Sequence, residues 1–152
     1  MFERFRCEAE FYADLSRLPL HLRMKLDLAG VRFSLKEWLA FSFEERAVLC
    51  HFPVDTAEER QAFVAYLDFL SRKYRGAPLA LTAPVNGSLW DDPDRVAEPV
   101  AAKSAANGQP VSVAEWAGWN SCQRYALYKT ALSKNEPNAF SDVLDELRAA
   151  NR

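Results

Sequence analysis

Gly30-Val-Arg-Phe-Ser34-Leu-Lys-Glu37-Trp38-Leu-Ala-Phe-Ser42-Phe-Glu-Glu45-Arg46-Ala-Val-Leu49 is answered 78 residues later by Gly108-Gln-Pro-Val-Ser112-Val-Ala-Glu115-Trp116-Ala-Gly-Trp-Asn120-Ser-Cys-Gln123-Arg124-Tyr-Ala-Leu127. Carried back to Lys25 and Lys103, this register holds seven identities in 25 positions, one of them tryptophan. A self-match of this kind marks one supersecondary unit occurring twice. Two copies are too few for a solenoid and suit a pseudo-symmetric pair.

Each copy reads the same way. Ser34 with Glu37, and Ser112 with Glu115, have the spacing of a capping box, in which the serine hydroxyl meets the amide three residues on and the glutamate reaches back. A second start follows eight residues later, at Ser42/Glu45 and Asn120/Gln123. The spacing therefore predicts a short helix carrying Trp38 or Trp116, then an abrupt restart into a longer one. Both tryptophans read as core plugs. Gly30 and Gly108 stand just ahead of the first caps, where each ends a preceding helix with a left-handed residue. Those preceding helices are predicted over Leu20–Ala29 and Val100–Asn107, opened by Pro19 and Pro99. Asp55 or Thr56 caps a long helix over 57–74, with Phe63, Tyr66, Leu67, Leu70 and Tyr74 on one stripe and Gly76 as its stop. Pro137 opens a last helix striped by Phe140, Val143, Leu144 and Leu147. No window alternates as a strand does. The expectation is an all-α single domain, 1–152, with repeat units at about 19–74 and 99–148. A long proline-containing crossover, 77–98, joins them and is expected to wrap the surface with Leu79, Leu81 and Trp90 as buried anchors.

Composition agrees. The 152 residues are 49% hydrophobic, 26% charged and 12% aromatic. A chain of this length buries enough surface to fold without disulfides or metal. Nineteen basic residues against twenty-one acidic ones leave a net charge of −2. That balance argues against a nucleic-acid groove, which needs concentrated positive charge. The second helix of each repeat is also too poor in basic residues to read DNA. There is no secretory h-region and no apolar run long enough for a membrane span. Cys7, Cys50 and Cys122 are an odd set with no CxxC spacing, expected to be buried thiols of a cytoplasmic protein.

Catalytic chemistry finds little support. His21 and His51 lie in no metal-ligand spacing, so no metal is expected. There is no GxSxG, phosphate loop or GxGxxG. Cys122 falls in a first helical turn, where a dipole can lower its pKa, but its counterpart in the other copy is Glu44. Asp91-Asp92-Pro-Asp94 reads as a solvated turn. Arg23, Lys25 and Asp27 form a charged strip in which Arg23 and Asp27 can pair at i, i+4.

The motif order Leu18-Pro19, Arg23-Met-Lys25-Leu-Asp27, Gly30, the Trp38 unit, Trp90, Gly108, the Trp116 unit and Gln123-Arg124-Tyr-Ala-Leu127 resembles the nitrate reductase-associated protein family over about Phe5 to Leu147. The chain departs from the pattern in having Ala29 where many relatives are expected to carry cysteine, and in its alanine-rich helix after Pro99. The resemblance implies a small cytoplasmic helical protein, not an enzyme and with no cofactor of its own. It would act as an accessory factor through contacts with assimilatory nitrate reductase or its cofactor-assembly machinery. On that reading the contact surface is expected at Trp90 and the Arg23/Lys25/Asp27 strip. The alternative is a small-anion or small-ligand domain, with Arg46, Arg124 and Lys25 facing the ligand at the junction of the repeats.

Overall fold

A computed structural model describes residues 2–151. The protein is all-helical: 61% of it lies in helices, and no strand occurs among the described residues. The elements are α1 (Leu20–Ala29), α2 (Leu35–Ala40), α3 (Phe43–His51), α4 (Ala57–Arg75), α5 (Glu98–Ala106), α6 (Val113–Gly118), α7 (Ser121–Leu132) and α8 (Ala139–Ala150). Short 3-10 turns add Arg6–Phe11 and Gly87–Leu89. The chain divides into two compact units, the first comprising Glu8–Val85 with the residues before Phe5, the second Asn86 onward with Phe5–Cys7. The boundary falls inside the stretch expected to be a single crossover.

In the first unit α1 stops at Gly30, whose φ of 72° lets its amide turn back to the Leu26 carbonyl. Ser34 then accepts from the Glu37 amide and starts α2. Phe33, just before that cap, stacks on Trp38 at 6.1 Å and fixes the entry angle. Full capping boxes start α3 at Ser42/Glu45 and α4 at Thr56/Glu59. Leu22, Trp38, Leu49, Phe63, Leu67 and Leu70 fill the core. The Trp38 indole donates to the Leu15 carbonyl at 2.7 Å. Leu15 is a non-glycine residue in the left-handed region (φ 51°), a conformation that costs about 1 kcal/mol and is held here by packing and by donors on its carbonyl.

Residues 79–85 lie on this unit as a strap held mainly by backbone. Arg32 donates to the Ala80 carbonyl, Thr82 to Gly30 and Val85 to Asp27. The Leu79 amide donates to Asp68 Oδ1. Leu79 is half-buried, but Leu81 is 68% exposed, contrary to its expected role as an anchor. In an extended strap alternate side chains face away, and here the main chain supplies the attachment.

The second unit has the same element order. α5 begins at Glu98, one residue before Pro99, and Gly108 follows its end with φ 72°. Capping boxes at Ser112/Glu115 and Asn120/Gln123 start α6 and α7. The Trp116 indole donates to the Asp92 carbonyl at 2.7 Å. Phe140, Val143, Leu144 and Leu147 of α8 are buried. Arg148 forks onto both oxygens of Glu115, at 2.8 and 3.1 Å. Arg75 of α4 meets Glu37 more loosely in the first unit, at 3.6 Å.

The two helix-ending glycines are under different constraints. A Cβ on Gly30 would sit 2.5 Å from the Thr82 carbonyl oxygen, whereas one on Gly108 would meet open space. Gly108→Ala is therefore expected to cost about 1 kcal/mol, the left-handed backbone penalty alone. Gly30→Ala is expected to cost at least about 3 kcal/mol, because it also displaces the strap. Urea unfolding of the two variants checks the difference.

Candidate functional site

The charged residues marked out by the sequence mostly face inward. Lys25 of α1 is 2% exposed, and its ammonium donates to the carbonyls of Leu49 (3.4 Å) and Cys50 in the last turn of α3. They stand at the negative end of the helix dipole, where the Leu49 carbonyl also accepts the Phe52 amide of the C-cap. Burial pushes the Cys50 thiol up to about 12 against the opposing pull of Lys25, so it stays protonated at neutral pH. Arg46 of α3 donates to the Leu15 carbonyl at 3.2 Å and lies 6.0 Å from the Trp38 ring centroid. Arg23 is half-buried, with its Nε on the Leu18 carbonyl. Asp27 is half-buried too, and its main-chain carbonyl receives the Val85 amide.

In the second unit Arg124 is buried. It donates to the carbonyls of Trp116 and Trp119 at the end of α6, and to Asp91 Oδ1 at 2.9 Å. Trp90 is 1% exposed, with its ring edge-on to Tyr125 at 4.9 Å and tilted against Tyr128 at 5.5 Å. This corrects the expectation of Trp90 as a surface anchor, because its area is already spent inside its own unit. Lys25 is likewise no part of a surface strip. Arg46, Arg124 and Lys25 each put a head-group nitrogen on main-chain carbonyls, although the buried Nε atoms of Arg46 and Arg124 have no hydrogen-bond partner. Cys50 and Cys122 are buried as expected, but Cys7 is exposed. With Arg6, Asp142, Asp145 and Glu146 it lines an open cleft of about 430 Å³ in the second unit. No group of three or more His, Cys, Asp or Glu among the described residues is placed to hold a metal ion.

The surface feature not anticipated from sequence is an aromatic ladder in the first unit. Phe63 is fully buried, and Phe52 packs on it at 5.6 Å. Tyr66 stacks on Phe52 at 6.2 Å and Phe69 on Tyr66 at 6.3 Å. The ladder thus climbs out of the core and ends at Phe69, which is 57% exposed. Its signal was present in the sequence: Phe69 is a large aromatic lying off the stripe of α4 that Phe63, Leu67 and Leu70 define. Beside the ladder, Glu45 accepts from the Tyr74 hydroxyl and from Lys73 at 2.9 Å. Burial raises the Glu45 carboxyl, but these bonds and those from Ser42 outweigh it and hold the group at about 2.

Two stability tests follow from this geometry. Lys25→Met keeps the side-chain length but takes the ammonium from the buried Cys50 carbonyl, leaving Leu49 only the Phe52 amide, and is expected to cost about 2 kcal/mol by urea unfolding. His21 accepts the Glu3 amide at Nδ1, at 2.7 Å; burial, then the charge of Lys25, lower its pKa from 6.5 to about 4. Between those values the unfolded chain takes up a proton that the native state refuses. Stability is therefore full above pH 6.5, falls by on the order of 2 kcal/mol toward pH 4, and gains no further loss from this group below that. His21→Asn keeps the acceptor without the titration and is expected to flatten that slope. Glu45 adds a separate loss beginning only below its unperturbed value of 4.5.

No helix among the described residues is long and apolar enough to cross a membrane. No curated protein and no solved structure matches the chain at a significant level. A family model described as conserved nitrate reductase-associated protein does match, over residues 4–147. That span takes in helices of both units, and the chain belongs to the conserved nitrate reductase-associated protein family.

Proposed function

We propose that this protein is a non-catalytic accessory factor of assimilatory nitrate reductase. It acts in the cytoplasm through protein–protein contact, in the enzyme's maturation or activation. The observation that carries this reading is membership of the nitrate reductase-associated family over residues 4–147. The disposition of side chains supports it. The conspicuous cations Lys25, Arg46 and Arg124 are engaged in tying helix ends and loops together, while an aromatic ladder from the core is left at the surface. Surfaces of that composition suit protein contact.

The test is affinity capture of the tagged chain from a nitrate-grown host. Nitrate reductase subunits or cofactor-assembly proteins are expected to be enriched over an untagged control. Capture without any of them overturns the reading. A second reading, a small anion held near Arg46 or Arg124, draws on their unpartnered Nε atoms. It predicts a melting temperature that climbs with nitrate, nitrite or molybdate concentration, and flat curves at millimolar ligand remove it.

A further inference from the structure

We infer that the ladder face of α3 and α4 is a docking surface for a basic amphipathic helix of a partner protein. This deepens the proposed function, since it rests on the reading that the chain works by protein contact. The face is built from two stripes. On α4, Glu58, Ala62, Tyr66, Phe69 and Lys73 follow one another at helical spacing. Along α3 and its end, Glu45, Val48 and Phe52 do the same; Glu45 bonds Lys73, and Phe52 stacks on Tyr66. Val48 lies one turn from each and is 45% exposed. The centre of the face is thus apolar and aromatic, and the outermost ring, Phe69, has open solvent beyond it.

The second unit has the same element order without this face. In the 78-residue register Val48 corresponds to Ala126 and Phe52 to Thr130, both buried. Aligning Arg75 with Arg148, each of which pairs with the capping glutamate of the short tryptophan helix, places Asp142 opposite Phe69 and Ala139 opposite Tyr66. That alignment also sets the buried Leu67 and Leu70 against the buried Phe140 and Val143. With the same element order, the second unit thus carries buried or polar residues where the first carries Val48, Phe52 and Phe69. Phe52 and Tyr66 pack on the core from its edge, but the exposed Phe69 beyond them adds nothing to it, and a large exposed aromatic of that kind suits a binding surface.

The charges around the face select the occupant. Lys73 is matched by Glu45, and Arg72 by Asp68. Exposed Glu44 at one end, and exposed Asp55 and Glu58 at the other, have no cation paired to them among the described residues. An apolar centre between unmatched carboxylates is complementary to a helix with one apolar face and lysines or arginines at its edges. It disfavours an anionic lipid surface, which would be repelled.

The probe is a designed Leu/Lys amphipathic helical peptide, with a Leu/Glu peptide of the same pattern as its control. NMR titration of the full chain is expected to shift Val48, Tyr66 and Phe69 with the Leu/Lys peptide, which should bind at least about tenfold more tightly than the control. Phe69→Asp, at an exposed position, is expected to weaken binding at least about tenfold while leaving the melting temperature nearly unchanged. Glu44→Lys with Glu58→Lys should erase the preference between the peptides. Equal binding of both peptides, or shifts confined to other surfaces, overturns the proposal. So does self-association that Phe69→Asp abolishes, since the occupant is then a second copy of this chain. The outcome is independent of affinity capture: peptide binding at the ladder with no reductase retained sinks the reductase reading and leaves the docking surface standing, and the reverse pattern does the opposite.

Discussion

In each unit one indole N–H holds a carbonyl that lies far back along the chain, Trp38 on Leu15 and Trp116 on Asp92. Burying a tryptophan is costly when its polar nitrogen finds no acceptor, as at Trp119, and for Trp38 and Trp116 the acceptor belongs to the segment leading into the unit's first helix. The bond therefore does two things together. It lets the largest side chain fill the core, and it fixes the entry of α1 or α5 relative to the short helix carrying the tryptophan. The arginine eight residues on reinforces the arrangement, Arg46 on that same Leu15 carbonyl and Arg124 on the end of its own short helix. Capping boxes then set where each next helix begins.

Much of this was legible in the sequence because it is local. Ser34, Ser42, Ser112 and Asn120 start helices at the expected residues, and Gly30 and Gly108 are left-handed. Such devices need only neighbours three or four positions away. The position of the division at Val85/Asn86 was not legible, nor was the strap over Gly30, because both depend on backbone contacts between distant residues.

Sites were harder to foresee for the same reason. A lysine on a helix reads as a solvated charge unless the neighbouring helix end is known, and the carbonyls that draw Lys25 inward lie 24 and 25 residues away. Trp90 had two readings, a buried anchor of the crossover and a contact for a partner, because tryptophan serves both; the first holds. Tyr125 and Tyr128 pack on it from a later helix. Phe69 is the converse: the stripe named for α4 leaves it out, and its phase sets it outside the buried face.

The two units are not consecutive along the chain. Phe5–Cys7 is counted with the second unit although the residues on either side belong to the first; Phe5 is buried, and the Arg6 amide is bonded to Glu146 at 2.6 Å. A gene cut between codons 85 and 86 would leave the first unit whole but hand the C-terminal product an incomplete body, because Phe5–Cys7 would stay with the other fragment. The second unit thus draws on both sides of the first in the order of the chain, and it can be completed only after the N-terminal segment and residues 86 onward are present in one polypeptide.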